Sequence, residues 1–386
     1  MRVLQVHTRY RERGGEDSVV SSERAMLIAA GHTVESHEFE NPSSAKAAAG
    51  ALLKSAWNRQ AAAQVVETAR RFGADVVHVH NTWFALSPVV FRSLSAAGFP
   101  TVATMHNYRL NCVNSLLYRD GRPCEDCVGH LPWRGVMHRC YRGSAIQSGA
   151  VAVTITTHRA AGTWREVDVV IALTEFAANR LILAGVPQDR VIVKPNTVGD
   201  PGHRLRPASA SDVVLYVGRL IESKGILDLV GAWRRISEKN IRLVVMGDGP
   251  LLATLRETAA AGIELRGAVE PIEVANAMRD ARALVIPSRG FEGLPMVMIE
   301  GLAAGLPVIV PDHGAFPDLL GDAGWSFTAG DPRSLGERLD RLDDPEAVAQ
   351  KGGAARRRYE ELFSPRVGLP ALEEAYSLAR HRRARR

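Results

Sequence analysis

Short β-branched runs alternate with helical stretches twice along this chain, and an unpatterned stretch separates the two rounds. The first round predicts strands at 2–8, 75–80, 100–105 and 167–173, with helices over 18–30, 45–71, 85–97 and 176–184. Gly31 and Gly185 stand where a helix closes in the left-handed conformation. Residues 198–211 are dominated by Gly, Pro and Ser without periodicity, and read as an interdomain linker. Strands then resume at 213–217, 242–246, 263–266, 283–286 and 307–310. Apolar strands separated by helices predict parallel sheets covered on both faces, whose ligands bind beyond the strands' carboxyl ends. At 386 residues the chain suits two such domains.

Composition excludes several other classes. With 46% hydrophobic and 23% charged residues, and no apolar run of about 18–20 residues, a soluble protein is expected. The start, Met1 to His7, reads as a strand rather than a secretory signal, so the cytoplasm is the expected compartment. The net charge of +6 is concentrated at the C-terminus, Arg380-His381-Arg382-Arg383-Ala384-Arg385-Arg386. Two readings stand: a solvated helix end, or an electrostatic tether to anionic lipid at the inner membrane surface or to a phosphorylated acceptor. Nucleic acid is set aside, because the basic residues lack interleaved aromatics and no recognition motif is present.

The densest chemistry lies between 287 and 310. A strand ends near Ile286, a loop carries Glu292, and a helix opens near Pro295, which loses nothing by lacking an N–H in a first turn. Amides around Gly293, Leu294 and Met296 then sit at the positive end of a helix dipole, an arrangement suited to a diphosphate. Glu300 lies one to two turns further on, so two carboxylates reach different parts of one elongated ligand. Upstream, Arg219 and Lys224 follow the strand 213–217. Arginine forks onto phosphate oxygens and lysine adds a mobile charge, which together stabilise a leaving diphosphate without a metal. Gly247-Asp248-Gly249-Pro250 reads as a tight turn nearby. In the first half, Gly14-Gly15 lets backbone approach a ligand before a helix starts, and His106 ends the strand 100–105. His78, His80 and Asn81 end the strand before it, and read either as core or as the acceptor side.

Glu-x7-Glu followed by Gly-x3-Gly-x-Pro-Val, with Gly-Arg-x4-Lys-Gly upstream, resembles the signature of the family-4 retaining glycosyltransferases of group 1 type. The resemblance implies an α/β, GT-B fold: two Rossmann-like domains facing each other across a cleft. It divides the chain into an acceptor-side domain at 1–198, a nucleotide-sugar-binding domain at 211–369 and a basic C-terminal helix at 370–386 that packs back on the first domain. A Cys-rich insertion occupies about 109–145. By the same resemblance Glu300 binds the ribose, and Glu292 binds donor-sugar hydroxyls with help from the amides of Gly293 and Leu294. Arg219 and Lys224 hold the diphosphate, Gly14 and Gly15 meet it from the first domain, and His106 contacts the sugar. The catalytic set is then His106, Glu292, Arg219 and Lys224.

The implied reaction moves a hexose-type sugar from a nucleotide-diphosphate donor to a hydroxyl acceptor, with retention and no cofactor. The acceptor is a glycan, a lipid-linked sugar or a small molecule. Two rivals are a nucleotide-sugar epimerase or hydrolase on the same fold, and a non-catalytic nucleotide-sugar-binding subunit. Outside the resemblance stand Cys112, Cys124, Cys127 and Cys140, spaced x11, x2, x12. Three readings stay open for them: a structural zinc site built on Cys-x2-Cys, reduced buried thiols, or redox chemistry.

Overall fold

The computed structural model describes residues 1–9, 14–41, 50, 52, 55–202, 204, 206–236, 240–258 and 261–386. The chain forms two units. One comprises Met1–Leu117, Cys124–Thr197 and Gly368–Arg386; the other comprises Tyr118–Pro123 and Val198–Val367.

The first unit is built on β1 (Arg2–Arg9), β2 (Thr33–Glu40), β3 (Val76–Val79), β4 (Thr101–Met105), β7 (Val169–Ala172) and β8 (Val191–Val193). These form one parallel sheet in the order β2-β1-β3-β4-β7-β8. Its central strands are covered on both faces: Val76–Val79 and Val169–Ala172 are buried throughout. The helix expected over 45–71 falls partly on residues outside the described ones. Its described part is Arg59–Phe72, started by the Asn58 side chain accepting from the Ala61 amide and closed by Gly73 at φ +65°.

A long helix, Pro365–Ala384, supplies Leu372, Ala375, Tyr376 and Ala379 to the first unit's core, beside Val3, Val76, Val102 and Val169. The spacing i, i+3, i+4, i+7 is one helical face. The basic end of the chain is turned onto its own body. Arg383 forks onto the fully buried Asp168 carboxylate at 2.8 and 3.0 Å, and Arg382 donates to the Asp168 carbonyl. Arg386 donates to the Arg165 carbonyl.

In the second unit β5 (Tyr118–Arg119) and β6 (Arg122–Pro123) form a small hairpin. The main sheet contains β9 (Val213–Val217), β10 (Arg242–Met246), β11 (Ile263–Gly267), β12 (Ala283–Val285), β13 (Val308–Pro311) and β14 (Gly324–Phe327). All neighbours are parallel, in the order β11-β10-β9-β12-β13-β14. The expected α/β class with two parallel sheets is thus what the chain adopts. The stretch 198–211, read as a linker, is held against this unit: Arg204 donates to the carbonyls of Met278 and Ala281, and Asp200 pairs with Arg356. His203 and Leu205 lie outside the described residues.

Candidate active site

Strand order places the chemistry of the second unit. Neighbours of β9 run back to β10 and β11 on one side and forward from β12 on the other, so the direction of winding reverses between β9 and β12. Loops leaving two such strands diverge and open a crevice at their carboxyl ends. The loop after β9 carries Arg219 and Lys224, and the loop after β12 carries Glu292.

Lys224 and Glu292 meet there, with Nζ 2.7 Å from Oε1. Ser288 Oγ donates to the same carboxylate oxygen at 2.8 Å. The contact depends on glycine. Gly225, at φ +68°, packs so close to β12's exit that a Cβ would lie 1.8 Å from the Pro287 carbonyl oxygen. Any side chain there would push the Lys224 turn off the strand end, which explains why Lys-Gly is one unit of the motif. Gly247 has the same role on the other flank, where a Cβ would fall 1.9 Å from the Gly218 carbonyl. The Gly-Asp-Gly turn is therefore a packing element beneath the site.

Electrostatics distinguish the two glutamates. Burial pushes the Glu292 carboxyl up, but Lys224, Ser288 and Arg219 outweigh it and hold the group below the usual range. Glu300 has burial as its one cause of shift, and its carboxyl is raised. It lies half-buried on the helix Met296–Ala303, which starts directly after Pro295. Arg219 is exposed, and its carbonyl accepts from the Tyr216 hydroxyl at 2.9 Å. Lys224 and Glu292 are thus in direct contact, and Arg219 acts on Glu292 through its charge. The pairing of lysine with glutamate was not foreseen, since the sequence assigned them to different parts of a ligand.

In the first unit the winding reverses between β1 and β3, and the groups at that edge are ionisable and buried. Lys194 Nζ sits 2.7 Å from Glu23 Oε1, and Glu23 Oε2 faces His80 Nε2 at 3.6 Å. His80 Nδ1 is 3.2 Å from His106 Nε2; His78 spans Tyr376 Oη at 3.0 Å and Thr104 Oγ1 at 2.8 Å. Burial is the leading cause that lowers His78, His80 and His106, the last to about 4, so all three imidazoles are neutral near pH 7. His78, His80 and Asn81 belong to the buried interior. His106 is half-buried and lines a cavity with His80, Trp83, Phe91, Arg109 and Trp164.

Glu23, His78 and His80 each bring a possible ligand atom within 4.8 Å of the others. The Lys194 ammonium already balances that carboxylate, and His78 uses both ring nitrogens on hydroxyls, so the trio fits a lysine counter-ion rather than a metal.

Gly14 and Gly15 open the helix Gly15–Ala29, where the Asp17 carboxylate accepts from the Gly14 amide at 2.9 Å and is itself 3.0 Å from His7 Nε2. The residues just before, 10–13, lie outside the described ones. Glu16 is a residue the sequence reading passed over. Burial foremost raises its carboxyl to about 7, while Asn107 Nδ2 donates to it at 3.0 Å. Its one signal was its place directly after Gly-Gly.

The four cysteines are free thiols. Cys112 donates to Asn114 Oδ1 at 2.8 Å, and burial raises the Cys112 and Cys127 thiols. Cys140 packs against an apolar cluster of Trp83, Val113, Val151, Ala152 and Ile155. Among the described residues, no three cysteine sulfurs lie within 4.8 Å of one another.

Comparison with known proteins agrees with this architecture. Residues 14–197 match the family described as glycosyl transferase 4-like domain, and residues 211–344 match glycosyl transferases group 1. The amylovoran biosynthesis glycosyltransferase AmsK of Erwinia amylovora is 26% identical over 225 residues, 54% of this chain and 55% of that protein. Glycogen synthase of Mycobacterium tuberculosis is 29% identical over 185 residues, 45% of this chain and 44% of that one. The chain spans about half the length of the curated relatives it matches. Among solved structures, sucrose-phosphate synthase from Thermosynechococcus elongatus superposes with a TM-score of 0.72 at 18% identity, over 97% of this chain and 98% of that one. Anabaena HepE in complex with UDP-glucose superposes at 0.66 and 14% identity, over 97% and 99%. Two family matches that between them take in most of the chain, on two parallel six-stranded sheets, make it a member of the group 1, family-4 glycosyltransferases of GT-B fold.

Proposed function

We propose that the protein is a retaining glycosyltransferase of polysaccharide assembly, moving a hexose-type sugar from a nucleoside-diphosphate donor to a hydroxyl of a glycan or lipid-linked acceptor. The observation that carries this reading is the Lys224–Glu292 pair at the switch point of the second sheet, 2.7 Å apart and partly open to solvent. A cation and an anion held so can each exchange the other for part of a ligand: Lys224 for a phosphate oxygen, Glu292 for sugar hydroxyls. HepE, a fold neighbour, was solved with UDP and with UDP-glucose, which supports a donor of that class.

In the proposed reaction Arg219 and Lys224 neutralise the diphosphate as its bond to the anomeric carbon breaks. Glu300 holds the ribose, and the amides of Gly293 and Leu294 assist at the start of the helix Met296–Ala303. The acceptor oxygen bonds to the anomeric carbon on the face the phosphate leaves, and its proton passes to the departing phosphate oxygen. Atoms and charge balance without a protein nucleophile or a metal. His106 is assigned to the donor sugar, and Gly14 and Gly15 to the diphosphate. The neutral His106 imidazole suits a hydrogen bond to a sugar hydroxyl better than an imidazolium would.

The test is donor turnover with and without acceptor. Sugar transfer that requires an acceptor supports the reading. Donor consumption of equal rate without one indicates a hydrolase or epimerase, and tight donor binding without turnover indicates a regulatory subunit. Zinc held by Cys112, Cys124, Cys127 and Cys140 is a separate proposal: one equivalent of zinc in the purified protein supports it, and zinc-free folded protein ends it.

A further inference from the structure

Residues 127–165 contain no aspartate or glutamate, although 42 acidic residues are spread along the chain, and they carry Arg134, Arg139, Arg142, Arg159 and Arg165. The same part of the molecule exposes apolar side chains. Of the twelve large hydrophobic residues most exposed among those described, six lie within 116–153: Leu116, Leu131, Trp133, Met137, Ile146 and Val153. Trp133 is 53% exposed, Met137 66% and Ile146 86%, so that more than half of each faces water. Single exposed apolar residues need no explanation; a cluster of this kind within one tenth of the chain does.

Two helices organise the cluster. Trp133–Met137 and Ala145–Ala160 pack on each other, and both bury their inner sides in the small core of Val113, Val151, Ala152 and Ile155, against which Val136 also lies. Their outer sides carry what that core does not need. Trp133 and Met137 are four residues apart and share one face; Ile146 and Val153, seven apart, share another. Arg134, His138, Arg139 and Arg142 are exposed between them. The Arg134 guanidinium lies 5.7 Å from the Trp133 ring centroid, and Arg142 lies 5.4 Å from that of Tyr141. Cations beside aromatic rings, with apolar side chains around them and a single carboxylate, Asp126, 4.0 Å from Arg134, match a surface that is anionic outside and apolar just beneath. The helices have 5 and 16 residues, so the contact is with a surface and not a crossing.

We infer that the outer face of residues 131–153 docks on an anionic bilayer surface, with Trp133, Met137 and Ile146 inserted among headgroups and Arg134, Arg139 and Arg142 on lipid phosphates. The sequence had pointed to the C-terminal tail for such a contact. In the folded chain Arg382, Arg383 and Arg386 are engaged by the protein's own carbonyls and carboxylates, and the outer face of 131–153, inside the acid-free run 127–165, is the stronger candidate. The inference stands apart from the catalytic reading, because vesicle binding needs no turnover.

The experiment is co-sedimentation of the full chain with phosphatidylcholine vesicles and with mixed phosphatidylcholine–phosphatidylglycerol vesicles, at low and raised salt. The wild type is expected on the mixed vesicles, with binding that weakens as salt rises. Arg134→Gln/Arg139→Gln/Arg142→Gln is expected to lower partitioning about 100-fold at low salt. Trp133→Ser/Met137→Ser/Ile146→Ser is expected to lower it at least about tenfold at either salt. Arg380→Gln/Arg385→Gln should change it by less than about threefold. An unchanged thermal shift on adding UDP-glucose, or unchanged melting where none is seen, verifies that each variant is folded. Absence of wild-type binding to mixed vesicles overturns the inference, as does binding that only the tail variant abolishes. A concentration-dependent dimer in sedimentation, lost in the apolar triple variant, also overturns it by assigning the face to a second copy.

Discussion

Among the described residues, each of the two units carries one lysine–glutamate pair at the carboxyl edge of its sheet, and both pairs measure 2.7 Å, yet they do different work. Lys194 and Glu23 are 3% and 2% exposed; Lys224 and Glu292 are 26% and 19% exposed. A pair sealed from water cannot exchange partners, because each charge left behind would be desolvated and alone. A pair at the mouth of a crevice can, because water or a ligand replaces what is lost. Distance alone therefore does not distinguish a structural ion pair from a binding site, whereas access to solvent does.

The largest effect expected from this difference is on stability. Glu23→Ala leaves the Lys194 ammonium buried without a counter-charge and should cost about 3–5 kcal/mol in urea unfolding. Glu23→Leu/Lys194→Met removes both charges and should recover most of that loss. By contrast Glu292→Gln should shift stability by less than about 1 kcal/mol. Equal losses for Glu23→Ala and Glu292→Gln would remove the distinction between the pairs.

The next effect is on rate. Lys224→Ala or Glu292→Ala should reduce kcat by at least about 10²-fold, the scale of one lost transition-state contact, with melting near wild type. Near wild-type turnover in either would detach the second pair from catalysis. Glu23→Leu/Lys194→Met, if folded, sharpens the contrast: it should keep far more activity than Lys224→Ala.

Much of this was legible in the sequence where one residue's environment is set by its immediate neighbours. The strands 213–217 and 242–246 read correctly because their buried runs, 214–216 and 243–246, are apolar. Gly247 read as part of a tight turn and Gly225 as part of a motif, and the structure supplies the reason, close backbone approaches that only glycine allows. Of the four edge strands only Ile263–Gly267, read at 263–266, was legible. Thr33–Glu40 alternates charged and half-buried residues, and Gly324–Phe327 is brief and begins with glycine; both pair on one side only. The buried network was hidden for a different reason. Glu23 lies in a helix between Ser22 and Arg24 and looks solvated, and it becomes interior only because Lys194, 171 residues later, arrives beside it. Such a pairing has no local trace.

A third effect is acid sensitivity on the first unit's side. His78, His80 and His106 are held below their usual range mainly by burial. Groups with lowered folded values stabilise the fold fully above the unfolded value, about 6.5, and lose that contribution as pH falls through the folded one, about 4 for His106. Melting of the wild type should therefore decline between pH 6.5 and 4. His106→Gln should decline less, by on the order of 1–2 kcal/mol. A parallel decline in both proteins would mean that His106 is hydrated in the folded chain.

The smallest effect concerns Glu16, and it runs in the opposite direction. Its carboxyl is raised to about 7, by burial first and by Asp17 as well, against the opposing pull of Asn107 and Arg109. A raised folded value stabilises the fold fully below the unfolded value, about 4.5, and that contribution is lost as pH climbs through about 7. Glutamine holds the site neutral at every pH. Glu16→Gln should therefore match the wild type near pH 5 and exceed it near pH 8.5 by on the order of 1 kcal/mol, or about 2–4 °C in Tm. Glu292 supplies the internal control: its carboxyl is held below the usual range by Lys224, Ser288 and Arg219, so Glu292→Gln should show no gain between pH 5 and 8.5. If the two variants follow the same profile, the Glu16 carboxyl on the helix Gly15–Ala29 is as hydrated as Glu292 after β12. The contrast between Glu16, which gains charge across neutrality, and Glu292, whose charge is fixed there, would then fail at its most sensitive point.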